Sequence, residues 1–144
     1  MAKDLAGFIR AVEAEAATLR RFQGNIYLST VDNADAIHND REGNIEPYLM
    51  IFAPSLDNAE YTGKGIGSSA DDSKLGTLIF QVVGAGYMQA QELAQDVRNK
   101  FEGLELTTAS QLREATSSGS VVPGTSSMRP KRYGVVLFFT FILD

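Results

Sequence analysis

Apolar side chains recur at spacings of three and four from Leu5 through Phe8, Ile9, Val12, Ala16 and Leu19 to Phe22, while Arg10, Glu13, Glu15 and Arg20 fall outside that stripe. This period is one face of an amphipathic helix. Asp4 suits its acidic N-terminal end, and Gly24 offers a left-handed stop just past Phe22. A second stripe, Ala90, Leu93, Ala94, Val97 and Phe101, predicts another helix that leaves a turn at Gly84 and Gly86 and ends at Gly103. Elsewhere the pattern changes to strands: NIYLSTV (25–31), PYLMIFAP (47–54), Leu75 to Val83, and RYGVVLFFTFILD from Arg132 to about Leu143. Pro47 and Pro54 sit at the ends of the second of these, where a missing N–H does least harm to a ladder. The polar stretches 32–46, 55–74 and 107–130 read as loops, with short strands at Leu104 to Leu106 and at Val121 and Val122. No internal repeat is visible.

This order predicts one α+β domain over residues 1–144, with a mostly antiparallel sheet of four or more strands and two helices packed on one face. The strands flanking 55–74 are expected to form a hairpin. Strand side chains alternate, so Tyr133, Val135, Leu137, Phe139 and Phe141 point one way and Val136, Phe138 and Ile142 the other. Tyr48, Met50 and Phe52 oppose Leu49 and Ile51 in the same manner, and Leu75 and Ile79 oppose Leu78, Phe80 and Val82. Both faces are apolar, whereas a sheet with one solvated face alternates apolar with polar. Two helices of about 10 Å diameter cover one face of a sheet about 20 Å wide. The second face therefore needs a cover, either the chain's own loops or a neighbouring subunit, and assembly is the expectation.

Composition narrows the classes of function. The chain has 144 residues, enough for one core, and a net charge of −5 with no basic cluster large enough to grip a duplex. There is no cysteine, hence no disulfide, thiolate metal site or cysteine nucleophile. The longest apolar run, Val135 to Phe139, is strand-sized, so no membrane span is expected. Asp4, Glu13 and Glu15 in the opening residues argue against a secretory signal.

One stretch tempts an enzymatic reading. GKGIGSS (63–69) has the glycines, lysine and serines of a phosphate loop, but Lys64 lies between glycines and the next segment has a strand pattern, not a helical one. A flexible hairpin loop is favoured, and a phosphate- or nucleotide-binding protein stays open as an alternative. His38, the single histidine, has acidic neighbours without the spacing of a calcium loop. Asp71 and Asp72 are adjacent and read as loop solubilisers, and Ser68, Ser69, Ser117 and Ser118 lack a nucleophile-elbow setting. Arg129, Lys131 and Arg132 form a basic cluster that guards the last strand or meets an acidic partner. No catalytic, cofactor-binding or metal-ligating residue is assigned, and the chain is not expected to be an enzyme. The long loops are instead candidate contact surfaces, through Lys64, Ile66, Asp71 and Asp72 in the first and Arg113, Arg129 and Lys131 in the second.

As a whole the chain resembles the tail terminator family of tailed bacteriophages. The likeness rests on the amphipathic N-terminal helix, the PYLMIF strand after a proline, the Gly-rich long loop, LGTLIFQVVGAGYMQAQELAQDVRNKF with its closing Phe101 and Gly103, and the final RYGVVLFFTFILD strand. It departs at Tyr133, where the family often has tryptophan, and in the length of the Gly-rich loop. The resemblance implies a virion protein assembled in the host cytoplasm. It implies a homohexameric ring that caps the tail tube, stops its polymerisation and meets a neck or head-completion protein. DNA would pass through the lumen without specific binding, and no cofactor is implied. Another neck or head–tail adaptor is the neighbouring possibility.

Overall fold

The computed structural model describes residues 5–28, 43–52, 56–58, 74–106, 111–115, 118–122 and 132–143. Among these, helices α1 (Leu5–Ala16) and α2 (Tyr87–Phe101) accompany strands β1 (Ile26–Leu28), β2 (Tyr48–Phe52), β3 (Leu56–Asn58), β4 (Lys74–Gly84), β5 (Arg113–Glu114), β6 (Ser120–Val122) and β7 (Tyr133–Leu143). The strands form one sheet in the order β1-β2-β4-β7-β5, with β3 paired to β4 and β6 paired to β7. All pairings are antiparallel except β1 with β2, which is parallel. The α+β fold expected from the pattern is therefore the fold observed.

The centre of the sheet is the β4–β7 pair, in register from Lys74 opposite Leu143 to Gly84 opposite Tyr133. On its other side β4 carries β2 and then β3, so the expected hairpin across 55–74 is present but longer than predicted: residues 56–58 are strand. Between Phe52 and Leu56 the outer strand advances four residues while β4 advances three, from Ile79 to Gly76.

Alternation sorts the strand side chains as the sequence indicates. Leu49, Ile51, Leu78, Phe80, Val82, Val135, Leu137, Phe139 and Phe141 join one buried cluster with Phe8, Val12 and Ala16 of α1 and Ala90, Leu93, Ala94, Val97 and Phe101 of α2. Phe8 lies against Phe141 with ring centroids 4.3 Å apart, and Phe101 against Phe80 at 4.6 Å. Gly76 makes the first of these contacts possible. It faces Phe141 across the ladder, and a Cβ there would run into the Phe141 ring. Ion pairs tie the N-terminal helical segment to the edge of α2, from Lys100 to Glu15 at 3.2 Å and from Arg21 to Asp96 at 3.3 Å.

Three local expectations need correction. The first helix does not run to Phe22: it ends at Ala16, where the Thr18 hydroxyl donates to the Glu15 carbonyl at 2.6 Å and competes with the helical ladder. A 3-10 turn, Arg20–Phe22, then delivers Phe22 to the core, and Gln23 enters the left-handed region ahead of Gly24. Leu104 to Leu106 form no strand; their backbone serves the turn after α2, with the Leu112 N–H donating to the Leu104 carbonyl at 3.0 Å. The stretch 107–130 is not simply loop, since it contains β5 as well as the expected strand at Val121 and Val122. Asp4 lies outside the described residues.

Candidate functional site

The side of the sheet turned away from the helix cluster divides into two parts. Where β1 and β2 end the sheet, Ile45, Tyr48, Met50 and Val83 form a small buried cluster of their own, with Tyr27, Phe52 and Ala85 packed against it. Tyr27 meets Tyr48 edge to face at 6.0 Å. Burial first, then the neighbouring Tyr48 and Glu46, raises the Tyr27 phenol above its ordinary value, so this ring stays neutral and acts as an apolar body with a polar tip. Asn25 fixes the entry to this corner: its amide group reaches Glu46 Oε2 and the Pro47 carbonyl, both at 3.4 Å.

Over the central strands the same face is lined by Leu75, Ile79, Val136, Phe138 and Ile142, all half-buried. Ile79 lies opposite Phe138, Leu75 opposite Ile142, and Gln81 opposite Val136. Cross-strand neighbours hide the flanks of these side chains, so they are less bare than a sheet with no second layer would suggest. The chemistry such a patch offers is apolar contact, with Thr77 and Thr140 facing each other across the ladder as its polar pair.

The proposed contact residues fall differently. Lys64, Ile66, Asp71, Asp72, Arg129 and Lys131 lie outside the described residues, as do His38, the serines at 68, 69 and 117, and the whole 63–69 segment. Beyond that segment the chain enters the extended β4 at Lys74, not a helix. Arg113 is described, and it lies in a strand and not in a loop. It stands on β5, exposed, with its guanidinium on Glu102 Oε1 at 3.4 Å and hydrogen-bonded to Gln111.

Sequence reading missed the polar network around that strand. Arg98 Nε on α2 donates to Glu114 Oε2 at 2.9 Å, and the Ser118 hydroxyl donates to the same oxygen at 2.6 Å. The Phe138 N–H donates to Ser118 Oγ at 3.0 Å, and the Glu114 N–H donates to Glu102 Oε2 at 2.7 Å. Burial pushes the Glu114 carboxyl up, but the Arg98 and Ser118 hydrogen bonds and the Arg98 charge together outweigh it and leave it below its ordinary value. Arg98 lies outside the apolar stripe of α2, and nothing in the spacing links it to Glu114. Ile45 was also missed, although an isoleucine just ahead of the strand, at the end of a mostly polar stretch, was the available signal.

Among the described residues no three His, Cys, Asp or Glu side chains gather as a metal-binding group, and no helix is long and apolar enough to cross a membrane. No protein-family model matches the chain, and no curated protein is significantly similar to it.

Proposed function

We propose that this chain is a structural virion protein of a tailed phage. In this reading it is a tail terminator whose protomers join in a ring, a homohexamer, that caps the tail tube, halts its growth and receives a neck or head-completion protein. The observation that carries the reading is the half-buried apolar patch of Leu75, Ile79, Val136 and Phe138 on the side of the sheet opposite the helix cluster. Burying such side chains in an interface is worth about 25 cal/mol per Å², so a few of them supply several kcal/mol per contact. A heterologous contact between identical protomers generates a closed ring when its rotation closes. The chain's net charge of −5 supports a lumen that DNA passes without being held.

Light scattering and negative-stain imaging, of the protein alone and mixed with tail tubes, test this. Rings on tube ends are expected, and Ile79→Lys should abolish them while leaving the circular dichroism of the protomer unchanged. A protein that stays monomeric in both conditions overturns the proposal. Rings that ignore tubes would move it to another position in the neck.

A further inference from the structure

We propose that β5 and β6 form a latched strap over the outer edge of β7, one that opens as a unit while the rest of the sheet stays closed. The strap is paired to β7 at both ends but out of step between them. From Glu114 to Ser120 it advances six residues, while β7 advances three, from Phe139 to Val136. A continuous ladder would offer a backbone carbonyl to each outward N–H of β7. At Phe138 the Ser118 hydroxyl takes that place, and it is held in position by the Glu114 carboxylate, which Arg98 holds in turn. Two backbone bonds flank it in this stretch: Ala115 N–H to the Phe138 carbonyl and Gly119 N–H to the Val136 carbonyl, both at 2.8 Å.

Two further features mark the strap as a separate unit. Its anchor is Leu112, fully buried in the main cluster, whereas Arg113 and Val121 are exposed and Glu114, Ala115, Ser118 and Gly119 are half-buried. Segments with little buried apolar surface open first. The contacts that hold it are also concentrated on α2 and the residue that caps it: Glu102 accepts from the Glu114 N–H and pairs with Arg113, and Arg98 lies so close to Gly119 that a Cβ there would approach Nη2 to 2.9 Å. When the latch releases, the outward N–H and C=O groups of β7 become an open edge able to pair with another strand.

Amide hydrogen exchange resolved by residue tests this within one strand. N–H directions alternate, so Phe138 faces the strap while Leu137 and Phe139 face β4. The amides of Ala115, Gly119 and Phe138 should exchange together, about ten-fold or more faster than those of Leu137 and Phe139. Glu114→Gln should speed the first set by about another ten-fold, and the second by no more than the accompanying loss of global stability. Ser118→Ala, which removes the hydroxyl that joins Glu114 to the Phe138 N–H while leaving Arg98 on Glu114, should do likewise without touching an ionisable group. Equal exchange of both sets in the unaltered protein overturns the strap, and variants that leave the first set unchanged overturn the latch.

Discussion

The two faces of the β4–β7 pair are built from neighbouring residues of the same strands, yet they end in different states. Val135, Leu137 and Phe139 are fully buried, while Val136 and Phe138, one position away, are half-buried. Both sets are apolar and equally suited to strands. The first set shares one buried cluster with side chains of α1 and α2, and the second set is not part of that cluster. An apolar residue contributes in proportion to what covers it, so the comparison can be broken by truncating one ring on each face. Phe139→Ala should lower the unfolding free energy by about 3–5 kcal/mol, since it leaves a cavity beside Phe80 and Phe101. Phe138→Ala should cost about 1 kcal/mol in the isolated protomer. Urea unfolding at several protein concentrations sharpens the test: the cost at Phe138 should grow with concentration if that face is buried in an assembly. Equal costs at high dilution would mean that both faces are packed alike, and the case for a subunit interface would fail.

Gly76 tests the covered face from the opposite direction, by adding volume. The Phe141 ring occupies the space where a side chain at position 76 would stand, and Phe8 stacks on that ring. Gly76→Ala should therefore cost about 1–3 kcal/mol through displacement of the ring from Phe8. Pairing it with Phe141→Leu should give a double variant less destabilised than the sum of the single changes, because the clash and the ring are removed together. A strictly additive cycle in thermal or urea unfolding would show that the ring does not depend on the missing side chain.

The elements of the covered face were legible in the sequence because their signals are local: a 3.6-residue period in α1 and α2, and a two-residue period in β2, β4 and β7, each assign a side to every apolar residue. Those periods put Phe8 and Phe101 on the apolar stripes of the helices and Phe80 and Phe139 each on one face of a strand; which face the helices cover was not legible, because both faces are apolar. The parallel sense of β1 against β2 was not legible, because pairing direction depends on where the chain returns and not on the residues paired. β5 was invisible for a related reason. Arg113 and Glu114 carry no apolar alternation, and they become strand only because β7 presents an edge and Arg98 and Glu102 wait at the end of α2. The apolar stripe continues in pattern to Phe22, but α1 ends at Ala16, and beyond it the Thr18 hydroxyl and N–H both go to the Glu15 carbonyl. Of the contact residues chosen from the long loops, Arg113 alone falls in a described element, and there it serves the protomer's own edge.

Glu114 marks where cover is polar instead of apolar, and pH separates the two kinds. Its folded value is lower than its unfolded one, so the native state gains from the ionised carboxylate. That gain is fully present above the unfolded value near 4.5 and is lost as pH falls through the lowered folded value. The Arg98 and Glu114 side chains keep exposures of only 25% and 26%, and a hydrogen bond to a charged group of this kind is worth about 1–2 kcal/mol. Glu114→Gln should lower stability by about that amount at pH 7 and flatten the acid limb of the stability profile. Phe138→Ala should shift the whole profile without changing its slope. An unchanged acid limb in the Glu114 variant would place the acid sensitivity elsewhere.

The smallest effect is expected where the helix layer looks most visibly fastened, at the ion pairs joining α1 and the turn after it to α2. Lys100 and Glu15 lie 3.2 Å apart with about a third of each side chain exposed, and Arg21 reaches both Glu92 and Asp96 from a side chain that is 59% exposed. Water already solvates such charges well, and holding long side chains in one geometry consumes most of what the attraction returns. If apolar contact is what makes one face of the sheet covered and the other not, these pairs are trimming. Lys100→Gln and Arg21→Gln should each change the unfolding free energy by about 0.5 kcal/mol or less, and the difference should vanish in about 0.5 M salt, where the screening length falls to about 4 Å. A loss comparable to that of Phe139→Ala would mean that the helices are held over the sheet by charge, and that the contrast between the faces is electrostatic in origin.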